Sequence, residues 1–521
     1  MKENEIFHCF MNKNFKIRFF VFAFFLLALL AFLSFWSSVK IPGKCISFMA
    51  ASLVLLLSSF LVILKAKDDF FPMAFSLAAI GIFYFVVCPF EMPPDENAHF
   101  FRAFEISLGR FFSRPLSWNA FGDILPSAVV DCWNRASLID WEKTREVGFS
   151  NTALYSVVNY LPQSLGIFAA RIFTRKVFVI YYAGRLFNFL ASLSLSIFAL
   201  KKIPFGRKVL FVIMLFPMTL QEMISMAPDA FVNALSFAIF AFSLNLAYKK
   251  ENVSRKESIF LGMLILMVSL CKLVYLPLLF IVYIIPSGKM RRADFVILKI
   301  LVPVLALSLN LSSLALSSKI LAESKLGEQN AGEQIHFILS NPLYFLKVFI
   351  RTVISQSKGY VFGCIGFYLG WLNIRLPVAL CGLFAVILFF EAFCQNNIHF
   401  KARKLDIFFF LIIFVMVFGL ILTSEYVGWS APKASKISGV QGRYFIPVVS
   451  FLLFPFLYRK HFGIIRNSRI NGAENKMSSE EKTESEGKIS CKEKSLLLIT
   501  ILLFLNLTAL IYVLKFFIEK K

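Results

Sequence analysis

FPMAFSLAAIGIFYFVVCPFEMPPDENAHFFR, residues 71–102, decides how the chain is read. The apolar run Phe71–Phe90 is uncharged and about the length needed to cross a bilayer as a helix. It stops against Pro93-Pro94. Asp95 then has the chemistry of a helix N-cap, because a carboxylate can accept from the free N–H groups of a first turn. From Glu96 to about Leu108 the pattern is amphipathic. Phe100, Phe101, Phe104 and Leu108 fall on one side, His99, Arg102 and Ile106 on another, and Gly109 is the stop. A helix of this kind at the end of a span is expected to lie in the interface, with aromatics in lipid and charges in water. Asp95, Glu96, His99 and Arg102 would then sit at a membrane surface. The plainer alternative makes Asp95 a cap and Glu96 a solvated side chain.

Working outward, the composition agrees with a membrane protein. Of 521 residues 58% are hydrophobic and 17% charged, whereas a soluble chain carries about a quarter charged residues. Repeated apolar runs of about 20 residues imply an all-α, polytopic membrane fold of roughly 12 or 13 spans. The net charge of +24 does not indicate nucleic-acid binding, since the basic residues cluster beside apolar segments, as the positive-inside rule requires. The nine cysteines contain no CxxC pair, so neither a zinc site nor a disulfide framework is indicated.

Lys13, Lys16 and Arg18 before the first apolar run (Phe19–Ser38) place the N-terminus in the cytoplasm, and a second span follows at Ile46–Leu64. Phe71–Phe90 then delivers residues 91–150 to the outside as a partly folded loop with Trp118, Trp133 and Trp141. Of the segments Ala153–Phe173 and Val177–Leu200 only one can span if Lys201, Lys202, Arg207 and Lys208 are to be inside. The Pro162-Gln163-Ser164 break and the terminal Arg171, Arg175 and Lys176 make Ala153–Phe173 the surface segment. Spans then alternate at Val209–Met226, Phe231–Tyr248, Ile259–Cys271, Leu273–Ile285 and Phe295–Ser318. A second outer loop covers 319–342. Asn341-Pro342 opens a helix with Lys347, Arg351 and Ser355 on one stripe, read as a second interfacial helix. Spans at Leu376–Phe393 and Leu405–Thr423 lead to an outer loop at 425–442. The next span starts near Arg443 and closes the main domain, residues 1–458. Residues 459–494 read as a disordered cytoplasmic loop, and 495–521 as the final span with a short tail.

Under this topology Asp95, Glu96, His99, Arg102, Asp229, Lys347, Arg351, Glu425, Gln441, Arg443 and Tyr444 share the outer side. Arg185 and Asn188 lie within an apolar segment, where a central arginine costs about 2.5–3.5 kcal/mol. Arg185 is therefore expected at a surface, in a protein-lined cavity or in an ion pair. Gly363, Gly366 and Gly370 suit close helix packing. No Walker motif, HExxH or nucleophile elbow occurs.

The run Pro93-Pro94-Asp95-Glu96-Asn97-Ala98-His99-Phe100, with Arg102-Ala103-Phe104, resembles the signature of a bacterial multi-span family labelled domain of unknown function 2142. So do Phe216-Pro217-Met218, Pro228-Asp229-Ala230 and Gly439-Val440-Gln441-Gly442-Arg443-Tyr444-Phe445-Ile446-Pro447. The order and spacing match over roughly residues 20–460. Asn97 stands where that family commonly has proline. The family in turn is similar to GT-C glycosyltransferases, among them the protein mannosyltransferases and the aminoarabinose transferase. That second resemblance implies a polyprenyl-phosphate-linked sugar as donor and a glycan or glycolipid as acceptor. The reaction would be an inverting transfer at the outer face of the cytoplasmic membrane, among membrane lipids. Asp95 would be the base, with Glu96 supporting it or holding a divalent cation. Arg443, Lys347 and Arg351 would meet the lipid phosphate, and His99, Arg102 and Asp229 would orient these groups. A flippase or transporter for lipid-linked saccharides, or a polymerase, is the alternative.

Overall fold

A computed structural model describes residues 68–118, 120–132, 137–153, 155–323, 331–394, 403–457 and 491–519. The expected spans at Phe19–Ser38 and Ile46–Leu64 and most of the 459–494 loop lie outside the described residues, as does Trp133. The chain divides into two units, one of residues 1–80 and 458–521, the other of 81–457. In the first, Ser495 Oγ donates to Asp69 Oδ2 at 2.7 Å.

The chain is an all-α polytopic membrane protein. Among the described residues, six helices are long and apolar enough to cross a bilayer, or seven if a bent pair is counted as one. The larger unit begins within α1 (Phe70–Val87) and continues through α2 (Glu96–Ser107). A small antiparallel sheet follows: β1 (Arg114–Pro115), β2 (Phe121–Pro126) and β3 (Thr144–Gly148), in that order, with Asp123 opposite Val147. Then come α3 (Leu161–Phe173), α4 (Val177–Lys202), α5 (Arg207–Met214), α6 (Pro217–Met223), α7 (Asp229–Tyr248) and α8 (Arg255–Cys271). Leu273–Ile284 returns as tight 3₁₀ turns around Pro277, whose missing N–H interrupts any α-helical ladder. α9 (Val302–Glu323), α10 (Pro342–Ile365), α11 (Val378–Cys394), α12 (Lys404–Gly428) and α13 (Ile446–Leu457) complete the unit. Ala331–Ser340 and α10 meet at a bend of 102°, where Pro342 occupies the first turn and Asn341 makes no side-chain cap.

The centre of the fold is α7. Its most apolar window is 94% buried, and it packs on α4, α8 and α13. The outer helices keep one side for lipid. α3 buries Gln163, Gly166 and Ile167 against α4 and exposes Leu165, Phe168, Ile172 and Phe173. At 13 residues α3 spans only about 20 Å, whereas α4 has 26 residues. α4 is thus the crossing segment of that pair by length.

The setting of α2 differs from the sequence reading. Instead of laying its aromatics in lipid, it buries Phe100, Phe101, Phe104 and Ile106 in a core shared with Phe121, Leu125, Val147 and Tyr181. Only Asn97, Ala98 and no other residue of this helix are left partly exposed. The described residues between 108 and 160 fold over it as a cap, so its polar side also meets protein. Arg102 pairs with Glu105 and donates to the carbonyls of Phe111 and Tyr155 at 2.8 and 3.2 Å.

Candidate functional site

Three buried ion pairs tie together helix ends that are far apart in sequence. Glu96 and Arg185 are both fully buried. Arg185 Nε and Nη2 donate to the two carboxylate oxygens at 2.7 and 2.5 Å, a bidentate geometry. The same guanidinium reaches the carbonyls of Cys88 and Pro89. Glu96 Oε1 also accepts from the Met226 backbone N–H at 3.0 Å. Asn188 donates to Ser225 and Ala227, and Gln163 to Met226. These side chains hold residues 225–227 rigidly, and that segment aims Asp229 at the start of α7. Arg185 is paired, one of the three settings its sequence position required.

The second pair is Asp229–Lys272, 2.5 Å apart. The third is Glu222–Arg443, 3.1 Å apart with Glu222 fully buried. Arg443 keeps its Nε buried and without a partner, and Glu222 keeps one carboxylate oxygen likewise. Lys272 lies over the rings of Tyr155 and Tyr444, and Arg443 over Tyr444, contacts that favour a cation against an aromatic face.

These groups surround a cavity of about 610 Å³ lined by Asp95, His99, Tyr155, Asp229, Lys272, Tyr275, Glu425, Arg443 and Tyr444 among others. Its size is that of small-molecule sites, about 300–1,000 Å³. Asp95 is held at φ +57°, the left-handed region, which an aspartate tolerates better than most side chains. It caps nothing, and its carboxylate has no hydrogen-bond partner among the described residues. His99 Nδ1 lies 2.8 Å from Tyr160 Oη. Burial pushes the imidazole pKa down to about 3, with the charges of Lys272 and Arg443 acting in the same direction and Asp229 opposing. The wall therefore presents a neutral histidine.

The late motif owes its glycines to this packing. A Cβ on Gly442 would stand 2.3 Å from the Cys364 backbone N and 2.4 Å from the Gly363 backbone carbon. Gly439 has φ +85°, and a Cβ there would meet Glu425 Oε2 at 2.5 Å. Gly363 faces Gly442, as close helix packing requires.

Of the residues singled out from sequence, the fold brings Asp95, His99, Asp229, Glu425, Arg443 and Tyr444 into one cavity. Glu96 and Arg102 are turned away from it, each taken up by its own ion pair. Lys347 and Arg351 are exposed on α10 and do not line it. Two charged members, Lys272 and Glu222, and two aromatic ones, Tyr155 and Tyr275, carry no mark in the sequence motifs. Lys272 is the sole charge between the apolar runs Ile259–Cys271 and Leu273–Ile285, and Glu222 the sole carboxylate within Val209–Met226. Those isolated charges were the available signal. Among the described residues no three His, Cys, Asp or Glu side chains converge to hold a metal ion. With Glu96 in an ion pair and Asp229 neutralised by Lys272, the donors present do not fit a divalent cation.

A family model described as "Predicted membrane protein (DUF2142)" matches residues 77–452. The chain belongs to this family. The matched region contains all four sequence elements, Pro93–Phe100, Phe216–Met218, Pro228–Ala230 and Gly439–Phe445, and the first, third and fourth of them line the site. In this DUF2142 protein they supply, in turn, Asp95 and Glu96, the segment leading to Glu222, Asp229, and Arg443. No curated protein and no solved structure matches the chain.

Proposed function

We propose that the protein is an inverting, GT-C-like glycosyltransferase in the cytoplasmic membrane. It takes a sugar from a polyprenyl-phosphate-linked donor and passes it to an envelope glycan or glycolipid at the outer face. The observation that carries this reading is the combination of an unpaired carboxylate, Asp95, with two cations, Lys272 and Arg443, around one cavity. Such a transfer needs a carboxylate and positive charge set in that way, and little else. The acceptor hydroxyl gives its proton to Asp95 as its oxygen forms a bond to the anomeric carbon. The bond from that carbon to the phosphate oxygen breaks, and its electron pair leaves with the polyprenyl phosphate. Lys272 and Arg443 meet the departing negative charge. Tyr155, Tyr275 and Tyr444 offer the faces and hydroxyls that a sugar ring packs on and bonds to. His99, neutral and fixed by Tyr160, orients without adding charge.

The test is transfer from a polyprenyl-phosphate sugar by purified protein in liposomes, read as release of polyprenyl phosphate. Asp95→Asn lowers the rate by about 10²–10⁴-fold, the usual worth of a general base. A native rate for that variant removes Asp95 from the reaction. Translocation of the intact lipid-linked saccharide without transfer assigns the cavity to a carrier instead.

A further inference from the structure

A second cleft lies at the opposite ends of the same two helices. The site above is lined by Asp229 and Cys271, where α7 begins and α8 ends. The second, of about 460 Å³, is lined by 252–256 and 288–291, just after α7 ends and where α8 begins. With 20 residues in α7, the two lie about 30 Å apart along the helix axis.

Its walls are built by polar contacts. Val253 N–H donates to the Lys289 carbonyl at 2.9 Å, joining the two loops. Lys289 Nζ donates to the carbonyls of Ala247 and Lys249 at 2.8 and 2.5 Å and so closes the C-terminus of α7. Ser254 and Glu257 form a reciprocal capping box at the start of α8, and Glu257 also takes Lys249. With these groups spent on structure, three cations on the walls remain. Arg255 is 61% exposed and has only Asp294, at 3.6 Å. Lys256 and Arg291 have no carboxylate partner among the described residues. Burial, with the charges of Lys249 and Arg403 acting in the same direction and Glu251 opposing, holds the Lys289 ammonium below its usual range. Lysines and arginines spread beside spans are ordinary orienting residues. What sets these apart is that they line one concave, pre-formed cleft, the form in which basic pockets beside spans take phosphate headgroups.

We propose that this cleft binds a phosphate group, using Arg255, Lys256 and Arg291. The group belongs either to an anionic phospholipid or to a soluble phosphate ester. The proposal does not depend on the chemistry assigned to the larger cavity.

The experiment uses the full-length protein with Arg255→Gln, Lys256→Gln and Arg291→Gln combined, all surface positions away from the sugar-transfer cavity. A control loses three exposed charges elsewhere, through Arg175→Gln, Lys176→Gln and Lys358→Gln. Two probes are used: retention of phosphatidylglycerol against phosphatidylcholine from mixed vesicles, and binding of inorganic phosphate at millimolar concentration in detergent. The wild type and the control are expected to retain phosphatidylglycerol at least tenfold over phosphatidylcholine, or to bind phosphate, and the triple variant to do neither. Lipid retention alone identifies a headgroup site; phosphate binding alone identifies a soluble ester. A charge-keeping pair, Arg255→Lys with Arg291→Lys, should retain binding, which separates loss of charge from loss of folding. Equal binding of either probe by the wild type and the triple variant, or no binding of either by the wild type, overturns the proposal.

Discussion

At the scale of single residues, the decisive contrast is between the adjacent carboxylates Asp95 and Glu96. The sequence reading makes them partners, Asp95 as base and Glu96 as its support, but the fold gives one to a cavity and the other to Arg185. Removing one member of a fully buried pair leaves the other charge uncompensated, at a cost of about 3–5 kcal/mol. Glu96→Gln and Arg185→Gln are therefore each expected to lower the melting temperature sharply in detergent. Asp95→Asn, which loses no hydrogen bond to the described residues, should leave it near the native value. A stable Glu96→Gln would mean that the pair does not hold residues 225–227. His99 gives a prediction in pH. Its folded pKa, about 3, lies below the unfolded value of about 6.5, so the unfolded chain binds the proton first as pH falls. The stability this represents is fully present above about pH 6.5 and is lost as pH drops towards 3, with a slope approaching about 1.4 kcal/mol per pH unit. His99→Gln, which can still reach Tyr160, should show a flatter fall in melting temperature between pH 6.5 and 4 than the wild type. Parallel curves would show that the imidazole titrates normally.

At the scale of elements, local sequence carries the helices themselves, and distant partners decide their surroundings. The apolar run ending at Phe90 and the helix starting at Glu96 are both present, because hydropathy and periodicity are local properties. The environment of α2 was not legible, since α3, the start of α4 and the sheet formed by β1, β2 and β3 together enclose its aromatic side in protein. Glu222 and Arg443 are 221 residues apart, and Asp229 and Lys272 are 43 apart. No periodicity reports such pairings. Motif glycines are an intermediate case: Gly442 was visible as part of a motif, but its reason is the backbone of α10 pressed against it. Gly442→Ala is expected to cost about 1–3 kcal/mol by overpacking, because the blocking atoms are backbone and cannot rotate away. Gly363→Ala, whose new methyl would stand 3.3 Å from the Gly442 Cα, should cost less. The order of the two melting temperatures checks this; equal values would mean that α10 moves freely relative to Arg443.

At the scale of the whole molecule, the helices sort their chemistry by end. The starts of α7 and α13 and the ends of α8 and α12 surround Asp95, Lys272 and Glu425. The other ends of α7, α8 and α12 carry Tyr248 bonded to Asp406, Lys249 bonded to Glu257, and the basic cleft. Since a helix of about 20 residues crosses the hydrocarbon layer once, the two ends must face opposite aqueous phases. Positive charges concentrate on the cytoplasmic side of membrane proteins, and the cleft lined by Arg255, Lys256, Lys289 and Arg291 is the more basic end. On the proposed reading the cavity holding Asp95 is the end that faces outward, where nucleotide sugars are scarce and a sugar donor would have to arrive on a lipid. Single cysteines at Asn151 on the cavity rim and at Ser287 beside the basic cleft, in a chain whose other accessible cysteines are replaced, test this directly. A membrane-impermeant maleimide applied to intact spheroplasts is expected to label position 151 and to reach position 287 only after permeabilisation. The reverse pattern would put the carboxylate on the cytoplasmic side, within reach of nucleotide sugars, and the case for a lipid-linked donor would fail with it.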